Sequence, residues 1–355
     1  MESSAPTTFC YEPLRHSSEI RLLYILPGQY EDEIRCTLRH VDLITSPNYH
    51  ALSYVWGDPT VTKPLRIAEE SGRQISRARR RKAEEFLQFH DFQVTTNLEA
   101  VLRYLRSETK PRIMWIDALC INQKRLEERS REVQKMGEIY ANASRVVVWL
   151  GRYLEVEDVQ HPLVQPLFKP PYEEQIRQAT SYLHEIPSRC KKDVTRDFES
   201  ADPAVPPPST AVIGGLAALL NRTWFKRLWV IQEVVLATGP IDVICGAEVM
   251  SLWRLLFVAS YFWCIRDVTS SSQLWEAAVK FAVCMRDLKY INDNDRVSKQ
   301  VMFALSSIPQ SVKATDERDR LYGILGLIPG SENVSNLRPD YTKLPTDFYL
   351  DIARF

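Results

Sequence analysis

The hydrophobic and polar positions fall into short strand-like runs separated by longer amphipathic stretches. Residues 34–43 (IRCTLRHVDL) alternate Ile34, Cys36 and Leu38 with Arg35, Thr37 and Arg39, the period of a half-exposed strand. Residues 20–26 (IRLLYIL) predict a strand before it, with Pro27-Gly28 turning between the two. Residues 49–56 (YHALSYVW) form an apolar run closed by Gly57-Asp58-Pro59, which predicts a buried strand and a sharp turn. Residues 65–68 and 92–95 predict a hairpin. Thr96 then opens a helix with the capping-box spacing Thr96-x-x-Glu99, and Leu98, Val101, Leu102 and Leu105 share its apolar face.

The most informative stretch spans residues 114–150. An apolar run ends on Asp117, and the polar pair Asn122-Gln123 follows. A helix then buries Val133, Met136, Ile139 and Tyr140 and exposes Arg131, Glu132 and Lys135. The run RVVVWL at 145–150 closes the unit, nearly all apolar as a strand covered on both faces should be. This strand, helix, strand order predicts an open α/β sheet, in which ligands bind at the carboxyl ends of strands.

Further on, prolines break the pattern over 152–212, where one helix (172–186) fits. Helical spacing resumes at 216–220. Thr223 is expected to cap a single helix through TWFKRLWVIQEVVLA, stopped by Gly239-Pro240. Residues 241–245 (IDVIC) predict a strand, and 252–290 read as helical. A last helix, capped near Thr315 or Asp316, turns Leu321, Ile324, Leu325 and Ile328 inward. The chain stops inside a helical pattern, DFYLDIARF, which predicts a longer protein. The expected organisation is an N-terminal β extension over 1–48 and an α/β domain over 49–250. Insertions are expected in that domain at about 72–90 and 152–212, followed by a helical region over 251–355. The expected parallel strands lie near Leu52, Ile113, Val147 and Val243.

Forty-five basic residues balance forty-five acidic ones. A dedicated nucleic-acid binder would carry a basic excess, so nucleic acid is not the expected partner. Zero net charge favours self-association. The seven cysteines are odd in number and contain no CxxC pair, which suits a reducing, cytoplasmic compartment. No run of about 18 apolar residues predicts a membrane span. The histidines lack metal-ligand spacing, and no P-loop, GxGxxG or GxSxG occurs. The run Arg77, Arg79, Arg80, Arg81, Lys82 reads as a nuclear address, a phosphate patch or a solvated loop.

Three constellations can carry chemistry. Tyr54, Trp56, Gly57 and Asp58 end the first core strand; the tryptophan can stack on a planar ligand, or these residues serve core and turn. Asp117, Asn122 and Gln123 can hold ribose hydroxyls, or bond their own loop. Trp224, Arg227, Trp229, Gln232 and Glu233 place a carboxylate four residues from an aromatic on one helical face. Such a carboxylate can stabilise a cationic transition state, as in glycosidases, or simply pair with Arg227 or Arg222.

Three blocks of the chain resemble the fungal heterokaryon incompatibility (HET) domain family. They are YHALSYVWGD from Tyr49, WIDALCINQ from Trp115 running on through SRVVVWLG, and RTWFKRLWVIQE from Arg222. ATDERDRLYGILGLIP and the PDY at Pro339 to Tyr341 extend the resemblance. It implies an intracellular fungal protein that triggers growth arrest or cell death when non-self is recognised, with an upstream non-self sensor as a partner. HET domains are distantly similar to TIR domains, which implies a flavodoxin-like α/β core. Some TIR domains cleave NAD at the nicotinamide–ribose bond, and others act by homotypic association. By position, the resemblance makes Glu233 the catalytic carboxylate and NAD or a related nucleotide the substrate, with no resident cofactor. Asp117, Asn122 and Gln123 would hold the ribose, Trp56 or Trp229 would stack on the leaving base, and Gly57, Asp58 and Arg227 would be further ligand-binding residues.

Overall fold

The computed structural model describes residues 9–70, 87–153, 171–186, 205–265, 280–285, 287–288, 297–309, 312–331, 338–347 and 350. The basic run at 77–82, and most of the proline-rich stretch, lie outside the described residues.

Nine strands form one mixed sheet among the described residues. In chain order they are β1 (Glu19–Ile25), β2 (Arg35–Asp42), β3 (His50–Tyr54), β4 (Thr62–Glu70), β5 (His90–Thr95), β6 (Arg112–Trp115), β7 (Arg145–Trp149), β8 (Ile241–Cys245) and β9 (Glu248–Ser251). Their spatial order is β5-β4-β2-β1-β6-β3-β7-β8-β9. The four strands expected near Leu52, Ile113, Val147 and Val243 are adjacent and mutually parallel, β6-β3-β7-β8. β7 reads as a parallel strand should: four of its five residues are buried.

The sheet as a whole is not parallel. β1 runs antiparallel to β6 and to β2, and β9 is antiparallel to β8. Short connections join β1 to β2 and β8 to β9, and only an antiparallel neighbour can be reached by a tight turn. The N-terminal strands therefore continue the core sheet instead of standing apart from it. β1 covers the backbone edge that β6 would otherwise expose, and six of its seven residues are buried. The expected hairpin is present as β4 and β5, and β4 also pairs in parallel with β2.

Nine named helices pack around this sheet among the described residues. They are α1 (Thr96–Leu105), α2 (Asp117–Cys120), α3 (Leu126–Asn142), α4 (Tyr172–Glu185), α5 (Thr210–Leu220), α6 (Trp229–Val235), α7 (Leu252–Ile265), α8 (Val297–Ser307) and α9 (Asp319–Leu325). None is long and apolar enough to cross a membrane.

Three local readings are corrected. The cap of α1 is Thr95, whose hydroxyl accepts from Leu98 N at 3.3 Å. Glu99 is drawn away to Arg103 and Lys63, so the capping box does not form. Glu132 on α3 is buried, because the packed surface of this helix is wider than its apolar stripe; it pairs with Lys135 at 2.5 Å. The single helix expected from Thr223 is broken. A 3-10 turn over Thr223–Lys226 ends at an extended Arg227, and α6 starts at Trp229. The break has a tertiary cause: Lys313 from the C-terminal region inserts beside it. Lys313 N donates to Lys226 O at 2.6 Å, and Leu228 N donates to Lys313 O at 3.0 Å.

The helix inside the expected second insertion is part of the packed structure. α4 buries Ile176, Ala179 and Leu183 and crosses α5 at Gly215. A Cβ on Gly215 would strike the carbonyl of Gln175 and lie 2.9 Å from the Ala179 methyl. Gly215→Ala is expected to destabilise by about 1–3 kcal/mol in urea unfolding, because backbone cannot yield as a side chain can. An unchanged midpoint would mean the crossing is loose.

Candidate functional site

The four parallel strands, counted in chain order, lie second, first, third, fourth across the sheet. The connections diverge between the first and third, β3 and β7. A crevice forms at such a point outside the carboxyl ends of the strands. β3 delivers Ser53 and Tyr54 to that edge, with Tyr54 in register with Trp149 of β7.

Ser53 is the one small polar residue inside an apolar strand, and it is buried. Its hydroxyl donates to Glu233 Oε2 and accepts from Trp224 Nε1 at 2.7 Å. The break before α6 sends Arg227 across to β3, where its guanidinium donates to the Tyr54 carbonyl. Beyond Tyr54 the chain turns at Gly57, whose φ of +82° lies in the left-handed region that suits glycine. Trp56, at this turn, donates its indole N–H to Asp117 Oδ2 at 2.8 Å. Asp117 Oδ1 accepts from Ala118 N at 2.7 Å. Asn97 at the start of α1 ties the edge together, donating to Val55 O at 2.5 Å and accepting from Trp149 Nε1 at 2.9 Å.

The electrostatics follow from this packing. Glu233 is 2% exposed. Burial pushes its carboxyl up to about 7, the Arg227 cation and the Ser53 hydroxyl oppose the rise, and Asp117 adds to it. Burial also raises Asp117, against Arg227 and the Trp56 indole. One guanidinium thus serves two carboxyl groups. An acid titrating near neutrality can give or take a proton at working pH, as acid–base catalysis needs.

The structure therefore brings together Trp56, Asp117, Arg227 and Glu233. The other candidates are placed elsewhere. Asp58 is exposed and accepts from Thr60 N at 2.8 Å and Thr60 Oγ1 at 2.7 Å, a bond pattern that serves the turn. Asn122 accepts from Lys124 N at 3.3 Å, and Gln123 donates to the Asp117 carbonyl at 2.9 Å; both stabilise the loop. Trp229 lies four residues before Glu233 on α6, and its indole N–H is engaged elsewhere. It opens α6 and donates to Asp319 Oδ2 at 3.1 Å on α9, because that buried carboxylate draws it away. A cavity of about 290 Å³ beside Leu228, Leu305, Val312 and Arg320 contains none of these residues. Sequence reasoning did not single out Ser53, Asn97 or Trp149. A lone serine inside a strand buried on both faces was the available signal, since buried polar groups require partners.

These features define an open α/β domain with an acidic cluster around one arginine at the carboxyl edge of its central strands. The chain belongs to the heterokaryon incompatibility (HET) family, whose model matches residues 49–233, more than half of its length. The match begins at Tyr49, one residue before β3, and ends on Glu233. Heterokaryon incompatibility protein 6, OR allele, of Neurospora crassa is 28% identical over 381 residues, covering 97% of this chain and 52% of the relative. The chain thus spans about half the length of the curated relative it matches. No solved structure matches it.

Proposed function

We propose that this chain is the effector domain of a fungal incompatibility protein, acting in the cytoplasm to arrest growth or kill the cell when an upstream sensor detects non-self. In this reading it hydrolyses NAD, or a related nucleotide, at the N-glycosidic bond. The observation that carries the reading is the position of Glu233: bonded to Ser53 at the strand-order switch, buried, and raised to about 7 against the pull of Arg227. The second-first-third-fourth order of the parallel strands is the doubly wound, flavodoxin-like order and supports a TIR-like core.

The chemistry assigns each group a part. As the base–ribose bond breaks, positive charge develops on the sugar. The Glu233 carboxylate offsets it, since a fixed nearby anion stabilises such charge in a water-poor site. Water adds to the ribose carbon and loses a proton, and nicotinamide leaves. Asp117 accepts from ribose hydroxyls. Trp56, 39% exposed, offers a face for the base. Arg227 keeps part of the Glu233 population ionised.

The test is nicotinamide release by wild type and Glu233→Ala over a range of protein concentrations. Wild-type turnover is expected, with a loss of at least about a hundredfold in the variant. Equal rates, or no turnover in any oligomeric state, would overturn the enzymatic reading. A second reading rests on the same carboxylate. Glu233 is enclosed and bonded to Ser53, as a structural core acid would be. The domain would then signal by self-association without chemistry, and Glu233→Gln, which can still accept from Ser53, would keep its toxicity in cells.

A further inference from the structure

The hydroxyl of Tyr54 has no assigned role. Tyr54 is 2% exposed, yet its Oη makes no hydrogen bond among the described residues. Buried hydroxyls are almost always bonded, because a lone one loses its hydration without compensation. Nearby tyrosines obey the rule: Tyr49 donates to Ile139 O at 2.6 Å and Tyr140 to Leu52 O at 2.8 Å.

The location of the exception is informative. Tyr54 is the last residue of β3, at the strand-order switch. Its neighbour Ser53 bonds Glu233, its own carbonyl receives Arg227, and Trp56 two residues on bonds Asp117. Among charged groups Asp117 acts on the phenol most strongly, then Arg227, then Glu233. Burial and the two carboxylates keep it protonated, so it has a hydrogen to donate.

We infer that Tyr54 is a ligand-contacting residue whose hydroxyl completes its hydrogen bonding on a ribose oxygen of the bound nucleotide, next to Asp117. The inference rests on the N-glycosidic reading of the site. A phenol that donates and a carboxylate that accepts, close enough for the carboxylate to act on the phenol, match a ribose, whose hydroxyls and ring oxygen present both kinds of partner. The free protein tolerates the unbonded hydroxyl, and the ligand satisfies it.

The experiment compares wild type and Tyr54→Phe in three measurements. Thermal unfolding without ligand comes first. Removing an unbonded buried hydroxyl should leave Tm unchanged or raise it by a few degrees, whereas removing a bonded one lowers it by a similar amount. ADP-ribose binding by calorimetry is expected to weaken about tenfold in Tyr54→Phe. In NAD turnover, KM should rise while kcat stays within about twofold, as loss of uniform binding requires. A fall in Tm overturns the inference, because the hydroxyl then had a partner all along. So do equal ADP-ribose affinity and equal KM in an active wild type, which leave the enzymatic reading standing. A wild type that neither binds ADP-ribose nor turns over NAD removes both.

Discussion

Arg21→Ala should destabilise the fold by about 3–5 kcal/mol, the scale expected when one partner of a buried ion pair is removed. Arg21 is fully buried and bonded on every side. It donates to Glu69 Oε1 at 3.1 Å, Glu128 Oε1 at 2.6 Å, Cys120 O at 3.1 Å and Glu12 O at 2.6 Å. Tyr11 stacks over its guanidinium at 4.9 Å. One side chain on β1 thus joins β4, the end of α2, α3 and the segment before β1. Removing it strands two carboxylates in a site from which water is excluded. Glu69 keeps His40 at 2.7 Å and Glu12 N at 2.7 Å, and Glu128 keeps Asn122 N at 2.9 Å, so the lower half of the range is the firmer expectation. Urea unfolding measures it, and a loss below about 1 kcal/mol would show that the pairs hardly stabilise. The Glu128 bond also anchors the loop that follows Asp117, so weakened ligand binding should accompany the lost stability.

Glu233→Gln should abolish turnover while stabilising the protein at alkaline pH. Folding raises this carboxyl from an ordinary 4.5 to about 7, so the folded chain holds the proton more tightly than the unfolded one. The stability linked to that proton is complete below about 4.5. It drains away as pH rises toward 7 and is gone above it. Glutamine is neutral throughout and can still accept from Ser53. The stability difference between variant and wild type should therefore move by roughly 2–3 kcal/mol in the variant's favour between about pH 5 and pH 8. Unfolding in denaturant at both pH values tests this, and a difference that ignores pH would place Glu233 in a wetter environment. Such a trade of stability for a reactive group is common at functional sites.

Legibility varied with the range of the interaction. The parallel strands near Leu52, Ile113, Val147 and Val243 were readable because burial on both faces demands continuous apolar runs. The β4–β5 hairpin was readable from its two runs even across a long excursion. The break at Arg227 was not. TWFKRLWVIQEVV has good helical spacing, and only Lys313, far away in sequence, diverts its backbone. For the same reason Trp229 was expected beside Glu233 and is found on Asp319. Helical spacing describes a helix's own faces, but not which neighbour claims an indole N–H.

The sequence by itself determined the α/β character, the four central strands, the family and the residue types a site could draw on, because these depend on local periodicity and on literal motifs. Tertiary structure alone decided which of those residues meet. It set the strand order that puts β3 beside both β6 and β7, the seat of Glu233 on Ser53, and the one arginine whose charge acts on both carboxyls. Ser53 and Glu233 are 180 positions apart. No local pattern encodes such a pairing; it arises when the sheet closes, water leaves, and each buried polar group takes the partner that remains within reach.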